Sequence, residues 1–399
     1  VDVCDTARIE GWVFDADTPD QKLTLEVFVN GSHIGECSAD IRREDLAEAG
    51  LGDGNIAFSF LMPDLLPASA LDDVVLRIGG TDICLPVHPP GTPRVRTERP
   101  PTLSQFGGLW IDRTDWIDQL ALKHRTGELD DDTAMQIYRF VRDGFLVIPA
   151  AVPMRLIATL NDDIDRLWTR PPEGLLIETF EPDDKMKYIA PELRYRTGRT
   201  KLLDPYYVSD VARRVTAARA AMRFLSALFG DMPMAFQQLA FWRSPEQAMH
   251  KDSAYVKVES NPMALAATWL ALEDVVPGTG ELEYFVGSHR SPEFLFGGVS
   301  KWAETYWADH ERFLASIQED AEKYRYRRAS FQARAGDLII WHADLAHGDA
   351  RVTRTNATRR ALLTHFAPAR ETPFYRAHSQ NQDMKTETCV FVSQYGDVK

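Results

Sequence analysis

The chain has 399 residues, 44% hydrophobic and 26% charged, the balance of an ordinary water-soluble globular protein long enough for two or three domains. Its formal net charge of −14 argues against a nucleic-acid binder, because a phosphate backbone rewards clustered Lys and Arg. There is no apolar run of about 18 residues to span a membrane, no secretory leader pattern, and no metal-binding spacing among Cys4, Cys37, Cys84 and Cys389. A reduced cytoplasmic protein is therefore expected.

Residues 1–88 read as a small β-sandwich. Short β-branched and aromatic runs at Ile9–Phe14, Leu23–Val29, Ile34–Cys37, Ala57–Leu61, Val74–Ile78 and Ile83–Val87 predict strands. Asn30-Gly31 predicts a tight hairpin, since both residues tolerate positive φ. Asp40–Gly50 is polar and predicts a short helix or loop. The segment Pro86–Pro101, rich in Pro and carrying Arg94, Arg96 and Arg99, has no apolar period and predicts a linker over 89–108.

A second domain is expected over 109–399, mainly β with flanking helices. Helices are predicted at Asp132–Val141, Pro153–Leu167 and Ser209–Leu228, the last two with an apolar stripe of helical spacing, and Gly230 stops the last. Gly144–Ile148 predicts a strand, as do Met234–Trp242, Ala254–Val258, Met263–Leu272, Glu281–Val286, Asp337–Ala343 and Arg360–Phe366. Lys301–Lys323 predicts a helical insertion between core strands. Pro182–Asp204 is polar and basic, and Lys185 and Lys187 are candidate anion contacts at a site mouth, weighed against a solvated loop.

His250 and Asp252 stand two positions apart, so an extended strand points both to one side. With His347 they make two imidazoles and one carboxylate, the facial donor set of a non-haem iron(II) oxygenase, which leaves other metal positions open. His342 is an alternative ligand, but its place directly after the apolar run Leu338–Trp341 favours packing. Arg359 shares a strand face with Ala361 and Leu363, and Arg360 takes the other. Two partners are open to a buried Arg359: the distal carboxylate of 2-oxoglutarate, held by two parallel hydrogen bonds, or an internal Asp or Glu.

In order along the chain, Asp143-Gly144-Phe145, Asp204-Pro205-Tyr206, His250-Lys251-Asp252, Trp269–Glu273, Gly280-Glu281-Leu282, Gly287-Ser288-His289, Gly336-Asp337, His347-Gly348 and Arg359-Arg360-Ala361 resemble the phytanoyl-CoA dioxygenase family of iron(II) and 2-oxoglutarate oxygenases. The resemblance covers about 135–367. It implies a double-stranded β-helix of the jelly-roll, cupin-like type, metal ligation by His250, Asp252 and His347, carboxylate binding by Arg359, and Trp269 near the co-substrate. Lys251 stands where the family often has glutamine, with an altered charge at the mouth as its expected effect. Ser288 and His289 match a family turn whose role is structural or catalytic. The pattern Ile9-Glu10-Gly11-Trp12, Asn30-Gly31, Ile34-Gly35, Ala39–Arg42 and Leu51–Gly54 resembles a β-sandwich module fused to bacterial glycosyltransferases.

The expected activity is oxidation of a small-molecule, saccharide or lipid-linked substrate with iron(II), 2-oxoglutarate and O2. A hydroxylase is favoured over a halogenase, because Asp252 supplies the carboxylate that halogenases lack. Candidate pocket residues are Gln237, Arg243, Tyr255, Lys257, Tyr284, Trp341 and Arg334; Tyr255 and Lys257 reach the iron only if a bulge or turn resets the alternation after Asp252. The N-terminal domain is a candidate oligomerisation or enzyme-complex module. Competing readings are a metal enzyme that does not use 2-oxoglutarate and a non-catalytic carbohydrate-binding protein.

Overall fold

A computed structural model describes residues 1–4, 8–15, 18, 19, 21–29, 31–62, 74–81, 83–85, 104–180, 186–374 and 383–393. Asn30, Lys185 and most of the expected linker lie outside the described residues. The chain forms two compact units, one of Val1–Leu103, Ile111–Glu128 and Glu322–Arg325, the other of Ser104–Trp110, Leu129–Ala321 and Tyr326–Lys399.

The first unit carries two four-stranded sheets. One orders Val3–Cys4, Arg8–Trp12, Asn55–Leu61 and Ile41–Arg42, the other Ser32–Ser38, Thr24–Val29, Val74–Ile78 and Cys84–Leu85. Alternation in Thr24–Val29 turns Leu25, Val27 and Val29 inward, where they meet Ile9, Phe58 and Phe60 of the facing sheet. The polar stretch after Ala39 contains a short helix, Glu44–Glu48.

In the second unit, Asp130 caps the helix Asp131–Asp143 by accepting from Thr133 N at 2.9 Å, a contact of about 1 kcal/mol. Gly144 ends that helix at φ +84° and releases the chain into the strand Phe145–Ile148. The helix Met154–Thr169 buries Ile157, Leu160, Ile164 and Leu167. The single helix expected over 209–228 is two, Asp210–Thr216 and Arg219–Phe229. Thr216 is buried at the break, its hydroxyl donating to Ala212 O and accepting from Gln238 Nε2, so the first helix ends tied to the neighbouring strand.

The large sheet runs Met186–Ile189, Ile177–Phe180, Lys201–Leu203, Pro233–Phe241, Ala361–Pro368, Ala266–Ala271, Leu338–His342 and Phe145–Ile148, antiparallel throughout this path. A smaller sheet orders Arg328–Phe331, Leu282–Phe285 and His347–Asp349. Leu239, Phe241, Trp269, Ile339 and Trp341 from the large sheet pack with Leu282, Tyr284 and Phe331 from the small one. This is a mainly β double-stranded β-helix with helices outside it. Among the described residues no helix is long and apolar enough to cross a membrane.

The strand expected at Ala254–Val258 does not form. Asp252 O accepts from both Tyr255 N at 2.9 Å and Val256 N at 2.8 Å, and this closes a 3-10 turn over Asp252–Ala254.

Gly336 stands at φ +91°, and an added Cβ would lie 2.5 Å from Val152 O. The adjoining Asp337 accepts from Ala150 N at 2.8 Å and Arg334 N at 2.9 Å, so this turn fixes where the strand Leu338–His342 begins. Gly336→Ala is expected to cost about 2 kcal/mol or more from the left-handed backbone and the clash together. Equilibrium denaturant unfolding measures it, and an unshifted midpoint would show that the turn relaxes freely.

Candidate metal centre

His250 and His347 face each other across an isolated antiparallel bridge. His250 N donates to His347 O at 2.8 Å, and His347 N donates to His250 O at 2.9 Å. Each ring then turns Nδ1 back onto its own chain, 2.8 Å from Ala248 O and 2.9 Å from Leu345 O respectively. Those carbonyl partners assign the hydrogen to Nδ1 and leave the Nε2 lone pair for a ligand. Asp252 Oδ1 stands 3.7 Å from His250 Nε2 and 3.6 Å from His347 Nε2. The three donor atoms lie within 4.8 Å of one another, and all three residues are buried.

The other carboxylate oxygen is engaged: Trp341 Nε1 donates to Asp252 Oδ2 at 2.7 Å, which fixes the plane of the group and keeps Oδ1 for the metal. His365 Nε2 comes within 3.4 Å of the same Oδ2, but neither ring nitrogen of His365 makes a hydrogen bond. Burial, reinforced by the neighbouring His347, pushes His250 down to about 4, so its ring is a neutral donor at ordinary pH. Burial alone would raise Asp252, but His347, His365 and His250 hold it below the usual carboxylate range. Two imidazoles and one carboxylate, bunched on one side with a cavity on the other, fit iron(II). Gln247 Nε2, 3.1 Å from His250 Nε2, occupies the lone pair a metal would take.

Arg359 lines the same cavity, of about 570 Å³, and is almost wholly buried. Its guanidinium carbon sits 5.4 Å from the Trp269 ring centre and 6.0 Å from that of Phe241. Nη1 donates to Gly280 O at 2.9 Å and to Asp349 Oδ1 at 2.7 Å, whereas the buried Nε has no partner. An orphaned buried N–H beside a metal-shaped donor set fits a carboxylate of the co-substrate. Of the two partners open to Arg359 from sequence, the internal acid is present, and it takes only part of the fork.

Of the other expected pocket residues, Gln237, Tyr255, Trp269 and Trp341 line the cavity. The turn after Asp252 brings Tyr255 inward, its hydroxyl 2.7 Å from His310 Nε2 in the 301–323 insertion. Lys257 is carried away by the same turn and pairs with Glu304. Tyr284 packs in the core against Phe145, ring centres 4.5 Å apart. Arg243 lies past the end of the strand Pro233–Phe241, so the alternation that points Gln237, Leu239 and Phe241 inward does not extend to it. Arg334 is exposed in the turn before Asp337. Lys187 is exposed on Met186–Ile189, where Met186 takes the cavity side. Lys251 is buried away from the mouth: burial lowers it, while Asp344 opposes that shift.

His342 and His289 pack ring to ring at 5.1 Å, and His342 Nδ1 accepts from Asp344 N at 3.1 Å. Neither lines the cavity that His250, Asp252 and His347 face. Sequence reading passed over His365, which keeps the inward alternation of Arg359, Ala361 and Leu363, and Asp349, two positions beyond His347 on its strand. Those registers were the available signal. Glu178, paired with Lys201 of the basic stretch at 2.7 Å, and Trp307 gave none, because their segments reach the site through tertiary packing alone.

A family model described as Phytanoyl-CoA dioxygenase (PhyH) matches residues 140–361 and leaves the first 139 outside it. No curated protein matches the chain. Among solved structures it is similar to the epimerase SnoN in complex with Fe3+, alpha ketoglutarate and nogalamycin RO, at 17% identity and TM-score 0.47, over 65% of this chain and 98% of that one. It is also similar to EctD from S. alaskensis with 2-oxoglutarate and 5-hydroxyectoine, at 18% and 0.44, over 60% and 76%. HygX from Streptomyces hygroscopicus with iron bound matches at 15% and 0.40, over 61% and 88%.

Trp341→Phe removes the 2.7 Å indole donor to Asp252 Oδ2 and is expected to weaken iron(II) binding about 10- to 100-fold, read by competition with a chelator. Equal affinity in both proteins would show that the indole merely packs. A second test concerns acid stability. His289 donates from Nε2 to Val141 O at 2.9 Å, has a buried Nδ1 without a partner, and is held well below 6.5 by burial and then by His342. The unfolded chain therefore takes up a proton at this residue that the folded chain refuses. Stability present above pH 6.5 falls as the pH drops below it, by up to about 1.4 kcal/mol per pH unit. His289→Gln should flatten that slope by one proton; an unchanged slope would place the uptake elsewhere.

Proposed function

Because the chain belongs to the phytanoyl-CoA dioxygenase family, we propose that it is an iron(II)- and 2-oxoglutarate-dependent dioxygenase that hydroxylates a small-molecule, saccharide or lipid-linked substrate. The observation that carries this reading is one cavity lined by His250, Asp252, His347 and Arg359, with three donor atoms converging where a metal would sit once Gln247 gives up His250 Nε2, and a guanidinium N–H without a protein partner. Bound iron would supply the oxidative chemistry, with O2 and 2-oxoglutarate converted to CO2, succinate and one oxygen atom inserted into a substrate C–H bond.

The protein's share is placement and exclusion. His250, Asp252 and His347 would hold the metal from one side and leave the cavity side for co-substrate and O2. Arg359 would take the far carboxylate of 2-oxoglutarate through the edge that Gly280 and Asp349 leave open. Trp269 walls that edge, and Trp341 keeps Asp252 from turning. Phe180, Met186, Leu239 and Trp307 give the cavity an apolar wall suited to a substrate with a hydrocarbon or ring face. A carboxylate at Asp252 favours hydroxylation over halogen transfer.

Anaerobic titration with iron(II) and then 2-oxoglutarate should give the weak visible charge-transfer band of a chelated 2-oxo acid. His250→Ala and His347→Ala should abolish iron binding, and Arg359→Ala should leave iron bound while weakening 2-oxoglutarate more than about tenfold. His342→Ala, a packing change, should retain both. Retained iron in the first two variants, or no response to 2-oxoglutarate in any protein, would end this reading. Succinate release scored against product mass over sugar, lipid and amino-acid pools then identifies the substrate.

A further inference from the structure

The guanidinium of Arg359 has five N–H donors on two usable edges. One edge is spoken for: both hydrogens of Nη1 are placed, on Gly280 O at 2.9 Å and on Asp349 Oδ1 at 2.7 Å. The other edge, Nε with one hydrogen of Nη2, keeps the parallel pair that a carboxylate accepts, and Nε is buried without a partner. A dicarboxylic 2-oxo acid seated there would place its distal carboxylate across one guanidinium from the acid already paired with it.

Asp349 is itself built in. Its side chain is 7% exposed, it follows His347 on the small sheet, and its Oδ2 accepts from Gln247 N at 3.1 Å while its own N donates to Gln247 O at 2.9 Å. Its carboxylate cannot swing away without giving up both the bond from Gln247 N and the pairing with Arg359. The second cavity-lining cation among the described residues, Lys201, is paired with Glu178 at 2.7 Å. The distal carboxylate therefore meets a cation whose charge is already answered, in a setting where screening by water is weak.

On the functional reading above, we infer that Asp349 sets co-substrate affinity and selectivity: by sharing Arg359 it lowers the advantage of 2-oxoglutarate over 2-oxo acids that lack a distal carboxylate. Asp349 touches neither metal nor co-substrate in this assignment. It is a specificity-determining residue acting through Arg359.

The test is equilibrium binding to the full chain loaded anaerobically with iron(II), read by the charge-transfer band. The probes are 2-oxoglutarate and 2-oxobutyrate, and the proteins are wild type, Asp349→Asn and Asp349→Ser. Both variants should bind 2-oxoglutarate at least about tenfold tighter, leave 2-oxobutyrate within about twofold, and keep wild-type iron affinity. Unchanged or weaker 2-oxoglutarate binding overturns the inference, as does an equal shift for both acids. Loss of iron affinity or of cooperative thermal unfolding in both variants also overturns it, because Asp349 would then be a brace for the bridge. A band absent from wild type and variants alike sinks the functional reading instead, whereas a wild-type band that the variants do not move sinks the inference alone.

Discussion

Two backbone hydrogen bonds hold this site in being. The mutual pairing of His250 and His347 joins segments far apart in sequence at the point where both must present a ring nitrogen to the same place. An antiparallel bridge of this kind fixes residue positions in a way side-chain contacts do not, since a slip by one residue would turn each ring to the opposite face. With the backbones locked, each imidazole needs one further constraint, and the carbonyls of Ala248 and Leu345 supply it. The ring centres end 4.4 Å apart. Burial and the neighbouring ring keep His250 unprotonated, which is what a metal ligand requires.

How much of this could be read from the chain depends on whether a residue's place is set locally or by distant strands. The helices Asp131–Asp143 and Met154–Thr169 were readable because their residue patterns are local facts. The large-sheet strands were readable for the same reason, as apolar runs bounded by turn residues, and so was the inward register of Arg359. His250 and Asp252 were identified, but by way of a strand that does not exist: Asp252 opens a 3-10 turn. The i, i+2 rule still put the two side chains on one side because Lys251 lies extended between them, at φ −121° and ψ 131°. Beyond Asp252 the rule fails, and Lys257 fell out of the site with it. The division of the helix at Ala217-Ala218 was not readable, because the partner that ties down Thr216 at the break, Gln238, lies on another element.

The electrostatics of the cavity follow a single pattern, in which nearly every charge on the wall is answered within the wall. Lys201 faces Glu178, Arg359 faces Asp349, and Asp252 lies among three imidazoles. Paired charges of this sort spare the site the cost of isolated ions in a dry interior. They also leave few strong handles for a charged ligand. Recognition then falls to shape, to the apolar faces of Phe180, Met186 and Trp307, and to whichever donors stay unpaired. Arg359 Nε is such a donor, and it points the chemistry toward a carboxylate.

The reverse side of the His-Lys-Asp triplet explains why the bridge is reliable. Lys251 leaves its two neighbours for a buried cluster in which Lys301 reaches Asp344 at 2.8 Å and Glu293 at 3.3 Å. Ser253, next after Asp252, hydrogen-bonds to that same Asp344, and Ser253 N donates to Ala343 O at 3.1 Å. Asp344 lies three positions before His347, so the segment that carries the distal imidazole is fastened to the triplet twice, by the backbone bridge in front and by the ionic cluster behind. A cluster of this kind adds little net stability, because desolvation consumes most of the Coulombic gain. Its effect is on the alternatives: any register that parts Asp344 from Lys301 strands a buried charge at several kcal/mol, far more than one misplaced apolar contact. The triad thus inherits its precision from charges that take no part in the chemistry.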